Sequence, residues 1–366
     1  MDILIYIVTG LIVGATLLPI SRHPHWIVRG MDFPRMQLAI CSVCLVLLQL
    51  TILNLSEPQT WLIIITTTLC LVWQLWWILP YTKLWRIEVH GSQNVDSSRQ
   101  LSILTANVLT TNRDAHKLVE LVNQYQPDVL VTLESDQWWE NQLACLEVDM
   151  PETIKCPLDN LYGMHVYSRL PLHEKEIDYL VEDDIPSMHT LVELPTGDLV
   201  RMHFLHPAPP SPTENPESAE RDAELIIVAR SVGDSEQPII VTGDLNDVAW
   251  SRTTRLFRKL SGLLDPRVGR GMFNTFHVKY PLLRWPLDHL FHSEHFTVQS
   301  IQRLPSIGSD HFPLFSRLAF TPVKGKGQDG LDADLGDKVF ATSITRSQNV
   351  SKTDVPLKTN LPQSST

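Results

Sequence analysis

Three long apolar runs near the start of the chain limit its fold more than any other feature. They cover residues 3–20, 36–53 and 60–79, and each is nearly free of charged side chains. An uncharged apolar run of about 18 residues or more is long enough to cross a bilayer as a helix. The chain begins Met1-Asp2 and so lacks the basic start of a signal peptide. The sequence therefore predicts a membrane region over 1–85 with three transmembrane helices, followed by a linker over 86–99.

Basic residues are unevenly distributed around these runs. Arg22, Arg29 and Arg35 lie between the first two, and Lys83 and Arg86 follow the third. Basic loops stay preferentially on the cytoplasmic side of a membrane. This pattern predicts a multi-pass protein of an inner or plasma membrane, with the following domain on the cytoplasmic face.

The cysteines leave the compartment open. Three of the five lie inside the apolar runs, so that Cys145 and Cys156 are the only pair outside them. A disulfide between these two would indicate an oxidising side, whereas two free thiols would indicate the cytoplasm.

The other end of the chain has a different composition. Residues 321–366 are rich in Gly, Asp, Ser, Thr and Lys and show almost no apolar periodicity. Such a segment buries too little apolar surface to offset the entropy lost on ordering. We therefore predict a disordered C-terminal tail over 321–366 and a folded domain over 100–320.

Within 100–320, apolar strand-like runs repeatedly end in polar side chains. The runs 101–112 and 127–136 flank a segment whose apolar residues recur near helical spacing, which is typical of an α/β domain. Each polar strand end alone is also a common turn or cap residue. Their combination indicates one site, and the residues concerned are Asn107, Glu134, His206, Asp244, Asn246, Asp288, Asp310 and His311.

In this order, these residues resemble the endonuclease/exonuclease/phosphatase family over about 100–320, above all in GDLN (243–246) and GSDH (308–311). Members of this family are four-layer α/β sandwiches with the active site at one end, and a subgroup carries membrane spans ahead of that domain. The resemblance implies two packed mixed β-sheets flanked by helices, preceded by an N-terminal bundle of three transmembrane helices.

The resemblance also implies a metal-dependent hydrolase that acts on phosphate ester bonds. Glu134 would hold Mg²⁺, with Mn²⁺ as the alternative, assisted by Asp310 and Asn107. Carboxylate oxygens are the ligands that such hard cations select. Asp244 would align the attacking water, and the Asn246 amide would donate to the phosphate.

Histidines would complete the implied chemistry. His311, oriented by Asp288, would be the general base or would stabilise the transition state. His206 would bind a phosphate oxygen or protonate the leaving group. His203 and His289 compete for these roles by position, and we expect both to be structural.

The substrate is less constrained than the reaction. The resemblance implies hydrolysis of a phosphodiester or pyrophosphate bond, and an endonuclease or exonuclease acting on nucleic acid is the alternative. A net charge of −11 gives no broad basic footprint for nucleic acid. A membrane anchor makes lipid-linked phosphates at least as plausible as DNA. A catalytically silent, membrane-tethered binding module is the alternative from another class.

Overall fold

The structure is a computed structural model that describes residues 2–93, 95–323 and 327–356. Its first part contains three long apolar helices at the positions predicted for the membrane region. Each is long and apolar enough to cross a membrane. The helices of this part are α1 (Asp2–Leu17), the short α2 (Trp26–Gly30), α3 (Arg35–Ile52) and α4 (Pro58–Ile78).

Polar side chains join the three long helices inside their bundle. Gln49 of α3 donates to Thr9 of α1 at 3.0 Å and to Thr67 of α4 at 2.9 Å. Gln74 of α4 donates to Thr16 of α1 at 2.9 Å. Hydrogen bonds of this kind hold helices together where the surroundings are as apolar as the side chains. The outward faces are apolar and exposed, which is consistent with a transmembrane bundle.

The second part of the chain forms two mixed sheets. The first sheet has the strand order β10-β11-β1-β2-β4-β3, and the second has the order β5-β6-β7-β8-β9. The strands are β1 (Gln100–Asn107), β2 (Val129–Leu133), β3 (Glu152–Cys156), β4 (Met164–Ser168), β5 (Leu172–Asp178), β6 (Ser187–Glu193), β7 (Leu199–Leu205), β8 (Ile239–Asp244), β9 (Asp288–His292), β10 (Phe296–Arg303) and β11 (Leu314–Phe320).

The two sheets pack face to face around a shared apolar core. Ile103 and Val131 of the first sheet belong to the same buried cluster as Met202 and Ile240 of the second. Helices cover both outer faces, which confirms the predicted four-layer α/β sandwich. These helices are α5 (Ala115–Tyr125) and α6 (Gln137–Leu143) on the first sheet, and α7 (Ala219–Gly233) and α8 (Arg252–Ser261) on the second.

The segment between the first two long helices packs directly on the sandwich. The Trp26 backbone donates to the Pro216 carbonyl at 3.0 Å, and the Trp250 indole donates to the Asp32 carbonyl at 2.8 Å. The end of α4 is attached as well, because the Tyr81 hydroxyl donates to the Ala249 carbonyl at 2.6 Å. The helix bundle and the sandwich therefore share a continuous interface.

The segment predicted as a linker, 86–99, is also part of this packing in the residues that the structure describes. Val89 is fully buried, and Glu88 accepts hydrogen bonds from the Arg258 guanidinium and from the Asp265 backbone. The Arg258 side chain is only 2% exposed. This portion joins two parts of the fold rather than separating them.

The C-terminal region differs from the predicted disordered tail. Helix α9 (Leu335–Ser347) lies within it and begins with a capping box at Asp334. Phe340, Ala341 and Ile344 of α9 pack against Ile226 and Leu256, which lie on α7 and α8. Three apolar side chains on one face are enough to hold α9 in place, because α7 and α8 supply a complementary apolar surface. The composition of the segment does not reveal that this surface exists. Residues 324–326 and 357–366 of the predicted tail lie outside the described residues.

We expect Glu88→Ala to lower the free energy of unfolding of the sandwich by about 3–5 kcal/mol, because it leaves a buried guanidinium without its carboxylate. The matched control is Glu152→Ala, which breaks the half-exposed pair with Lys175 and should cost less than about 1 kcal/mol. Denaturant unfolding in detergent, followed by tryptophan fluorescence, compares the two. Equal small losses would show that the segment at 86–93 is a spacer after all.

Candidate active site

Strand pairing brings the predicted residues to one edge of the sandwich. Asn107 ends β1 and Glu134 directly follows β2, and these two strands run parallel. His206 directly follows β7 and Asp244 ends β8, and these strands are also parallel. Because parallel neighbours end at the same edge of a sheet, each pair of polar side chains lies together.

Antiparallel strands bring the remaining residues to the same edge. Asp288 begins β9 and lies opposite Asp244 in the β8–β9 ladder. His311 lies three residues before β11, whose Leu314 is opposite Thr105 near the end of β1. Residues far apart in the chain therefore meet where the two sheets adjoin.

A glycine permits the turn that follows β8. Gly243 has φ +147°, and a Cβ built on it would lie 1.9 Å from the Leu205 carbonyl oxygen. Any side chain there would push β8 away from β7. Asn246 then adopts φ +50°, with its backbone donating to Asp244 at 2.9 Å and its amide donating to the Pro207 carbonyl at 3.0 Å. Arg221 supports this turn by donating to the Asn246 carbonyl at 2.8 Å.

A buried imidazole and carboxylate join the two sheets. His311 Nδ1 donates to Asp288 Oδ2 at 2.8 Å, which directs Nε2 toward Asp244 Oδ2 at 3.5 Å. Burial by itself would lower the pKa of His311, but the neighbouring carboxylates of Asp288, Asp244 and Asp310 outweigh it and raise the pKa to about 10. The imidazole is thus held in one orientation with a positive charge favoured.

A second carboxylate faces the site with one oxygen unused. Glu134 Oε1 accepts from the Asn107 amide at 2.7 Å, whereas Glu134 Oε2 is buried without a hydrogen-bond partner. Burial raises the pKa of Glu134 to about 7, against the effect of the Asn107 amide. The same amide reaches Asp244 at 3.3 Å, so it also joins the two sheets. The Glu134 backbone has φ +59°, which turns the side chain out of the strand direction.

The residues present fit a divalent cation. A desolvated carboxylate oxygen without a donor is the atom that a hard cation satisfies, and Glu134 Oε2 is such an atom. Among the described residues, Asp244, Asp288 and His311 are the ones whose ligand atoms lie within 4.8 Å of one another. This group differs from the predicted set of Glu134, Asp310 and Asn107.

The two sets are chemically different. In the first group, both ring nitrogens of His311 already face carboxylates, and one of them is hydrogen-bonded. Its close spacing is therefore explained by hydrogen bonding alone. In the predicted set, Glu134 offers a free oxygen, and Asp310 faces the same cavity. The donor chemistry thus favours Glu134 as the main cation ligand.

His206 lies opposite this carboxylate cluster. It is buried, and its Nδ1 has no hydrogen-bond partner. Burial lowers the pKa of His206 to about 4, although Asp244 acts in the other direction. Its ring packs 5.2 Å from the Tyr162 ring, whose hydroxyl bonds to Glu214. His206 is thus a neutral imidazole with a ring nitrogen available for a hydrogen bond to a ligand.

All the predicted polar groups except Asn107 and Asp288 line one cavity of about 530 Å³. Those two residues lie directly behind it and orient Glu134 and His311.

The competing histidines lie elsewhere. His203 bonds to His189 at 2.7 Å, and His289 bonds to Arg267 at 2.7 Å.

The walls of this cavity are apolar. Besides Leu161, Tyr162, Pro209 and Pro210, they come from the segment between the first two long helices and from the segment that precedes β9. The first group is Trp26, Phe33 and Pro34, and the second is Phe276, Trp285 and Leu287. Phe33 packs on Trp285 with ring centroids 5.6 Å apart, which joins the two segments. The aromatic residues between the spans were visible in the sequence, but only the docking of the bundle shows what they face.

The cysteines that were left open are free thiols in the structure. Cys145 is exposed, and Cys156 lies 3.7 Å from the Tyr179 hydroxyl.

Two packed mixed sheets with carboxylates and imidazoles at one edge define the hydrolase fold shared by nucleases and phosphatases. The sequence profile of the Endonuclease/Exonuclease/phosphatase family matches residues 104–311, which is more than half of the chain. The chain belongs to this family, as the resemblance indicated. No curated protein matches the chain significantly.

Solved structures show the same fold at low sequence identity. Humanized TDP2 of D. rerio with 14 mutations is 19% identical, with a TM-score of 0.52, over 61% of this chain and 99% of that one. D. rerio TDP2 complexed with a single-strand DNA product is 19% identical, with a TM-score of 0.51 and the same coverage. An endonuclease/exonuclease/phosphatase from Beutenbergia cavernae is 18% identical, with a TM-score of 0.50, over 61% of this chain and 72% of that one.

Proposed function

We propose that the protein is a membrane-anchored, metal-dependent phosphoesterase whose substrate carries an apolar group. One observation supports this most strongly. The buried Asp288–His311 pair and the unpartnered Glu134 oxygen meet in a single cavity with apolar walls. Charged groups at the floor fit a phosphate and a cation, and the walls fit a part of the substrate that prefers to leave water.

The cation would be held by Glu134 with Asp310, and the Asn107 amide would orient the glutamate. A bound Mg²⁺ or Mn²⁺ neutralises phosphate charge and polarises the ester. Glu134 thereby uses the oxygen that has no hydrogen-bond partner among the described residues. Asn107 contributes through its 2.7 Å hydrogen bond to the other oxygen.

Water activation is assigned to the groups that join the two sheets. Asp244 Oδ2 and His311 Nε2 are 3.5 Å apart, so both can contact the same small ligand. We assign to Asp244 the alignment of the attacking water and the acceptance of its proton, and to the charged His311 the donation of a proton and the stabilisation of negative charge on phosphoryl oxygens. Asp288 keeps the imidazole oriented throughout.

Two further groups can contact the phosphate. Asn246 uses one amide hydrogen on Pro207, and the second remains available for a phosphoryl oxygen. His206 presents an unpartnered ring nitrogen in a dry environment. As a neutral imidazole it is suited to form a hydrogen bond with a phosphoryl oxygen.

The walls distinguish between the substrate classes. None of the described residues that line the cavity is Lys or Arg, whereas a nucleic-acid cleft needs such side chains for phosphates beyond the scissile one. The TDP2 relative complexed with a single-strand DNA product keeps a nuclease as the alternative. The three-helix bundle contributes Trp26, Phe33 and Pro34 to the wall, so a lipid-linked phosphate ester leaving the bilayer would meet the site directly.

Orientation follows from the same packing. The segment with Arg22, Arg29 and Arg35 lies on the same side of the bundle as the sandwich, because this segment contacts the sandwich directly. We therefore propose that the catalytic domain is cytoplasmic.

In sealed cells, protease added outside should leave the domain intact and should cleave it only after permeabilisation. Digestion of the domain in intact cells would place it on the outer face.

Metal binding and proton transfer should separate by mutation. We expect Glu134→Gln to abolish both Mn²⁺ binding, measured by calorimetry, and turnover of bis-p-nitrophenyl phosphate. His311→Ala should bind Mn²⁺ like the parent and lose a factor of about 10²–10⁴ in turnover, as is usual when a positioned acid or base is removed. Asp288→Asn should lose much of the same factor, and the double variant should fall far short of additivity, because the two side chains act as a unit.

The matched control is His116→Ala, which removes an exposed histidine of α5. It should change neither quantity. Parental turnover in Glu134→Gln would remove this residue from the cation site. Parental turnover in His311→Ala would show that the Asp288–His311 pair is only structural.

The apolar walls should matter only for substrates with an apolar part. We expect Trp26→Ala and Phe33→Ala to raise KM about tenfold for a long-chain alkyl p-nitrophenyl phosphate, since burial of a large side chain contributes about 1.5–3 kcal/mol. The methyl ester, which has the same leaving group, should be hydrolysed with a KM within about twofold of the parent value. Trp61→Ala is the control, because Trp61 lies near the start of α4 and does not line the cavity. Equal effects on both esters would show that the walls support the fold rather than the substrate.

A further inference from the structure

A second cavity lies at the junction of the helix bundle, the sandwich and α9. Its volume is about 480 Å³, and it is separate from the catalytic cavity. Pro19 and Ile20, just after α1, and Trp73 and Trp77, near the end of α4, form its apolar side. Both helices are apolar up to this level, so the cavity lies where the end of a membrane-spanning bundle meets the polar phase.

The opposite side of this cavity carries excess positive charge. Five basic side chains line it, and two carboxylates do so as well. The carboxylates are already paired, Asp32 with Arg35 and Asp337 with Lys259. The structure describes no carboxylate within 4.0 Å of the three remaining guanidinium groups, which are those of Arg22, Arg252 and Arg255.

Each of these guanidinium groups lies over an aromatic ring that lines the same cavity. Arg22 and Arg252 both lie 4.9 Å from the centroid of the Phe340 ring, which α9 supplies. Arg255 lies 5.1 Å from the Trp77 ring, and Arg35 lies 4.8 Å from the same ring. Stacking fixes the planar heads of arginines and leaves their N–H groups available. Like charges gathered in this way repel one another unless an anion lies between them.

Burial of two of these arginines makes the repulsion between their charges more costly. Burial lowers the pKa of Arg255, and burial and the neighbouring Arg22 lower the pKa of Arg252. Both side chains are thus less solvated than surface arginines, and the more distant carboxylates, Asp32 and Asp337 near Arg252 and Glu88 near Arg255, offset this only in part. An anion with several acceptor oxygens would satisfy them, and phosphate has the geometry that guanidinium groups match.

We propose that this junction cavity binds the phosphate head group of an anionic phospholipid. The phosphate would lie among Arg22, Arg252 and Arg255, and an acyl chain would follow the exposed apolar face of α4, where Leu69 and Val72 face outward. Basic pockets beside membrane helices bind anionic head groups in this way. A lipid there would contact the bundle, α8 and α9 at once and would stabilise their junction.

A soluble phosphate ester shares the head-group chemistry, so the test must separate it from a lipid. We would titrate the detergent-solubilised full chain, at high salt, with short-chain phosphatidylglycerol, phosphatidylcholine of the same chain length, and glycerol 3-phosphate. We expect saturable binding of phosphatidylglycerol that is about tenfold or more tighter than that of the other two. One comparison lacks net negative charge and the other lacks acyl chains.

Variants locate the binding site. Arg22→Gln, Arg252→Gln and Arg255→Gln should each weaken phosphatidylglycerol binding about tenfold, as expected for loss of a charge-assisted hydrogen bond, while Arg255→Lys should recover part of the affinity. The control is Lys83→Gln, which removes an exposed cation after α4 that does not line this cavity and should therefore have little effect. The circular dichroism spectrum and the denaturant unfolding midpoint should match the parent in all of them, which verifies folding.

Three results would overturn the proposal. Equal affinity for phosphatidylglycerol and phosphatidylcholine would exclude recognition of the anionic head group. Equal losses in Lys83→Gln and the arginine variants would indicate general surface attraction. Glycerol 3-phosphate binding as tightly as the lipid would assign the cavity to a soluble phosphate ester. Because the catalytic cavity is not involved, these outcomes are independent of the proposed phosphoesterase activity.

Discussion

The hydrogen bond between His311 and Asp288 is the contact on which the site depends, because its partners belong to opposite sheets. Asp288 begins a strand of the second sheet, and His311 precedes a strand of the first. The Asn107 amide bridges the sheets in the same way, between Glu134 and Asp244. Thr105 and Thr242 bond to each other at 2.9 Å deeper in the same interface. The candidate active site therefore lies at the junction of the two sheets and exists only when they are packed together.

The helix bundle is more than an attachment to this sandwich. The segment between its first two long helices forms part of the wall of the candidate active-site cavity. The ends of its helices form part of the junction cavity lined by arginines. The polar contacts of Gln49 and Gln74 fix the arrangement of the three helices, and hydrogen bonds from Trp250 and Tyr81 fix the bundle against the sandwich. A protein built in this way can couple what its helix bundle contacts to what the cavity of the candidate active site contains.

Local sequence was a good guide to the elements and to the polar strand ends. The three apolar runs, GDLN and GSDH are short signals whose meaning depends on neighbouring residues, and each was readable without a structure. The tail was misjudged because three side chains of α9 need the surface of α7 and α8 before they count as a core. The packing of the predicted linker was hidden from the sequence for a similar reason, since Glu88 finds its partner in Arg258, 170 residues later.

Short stretches of the chain were enough to predict the class of the domain, the three apolar helices and the identity of the polar groups, because periodicity and residue chemistry are local properties. Tertiary structure alone decided that Asp288 orients His311, that Glu134 keeps an oxygen free, and that Trp26 and Phe33 form a wall of the cavity. It also decided that Arg22, Arg252 and Arg255 share one cavity. These are relations between distant segments, and they arise from strand register and from the docking of helices, which no short stretch of chain encodes.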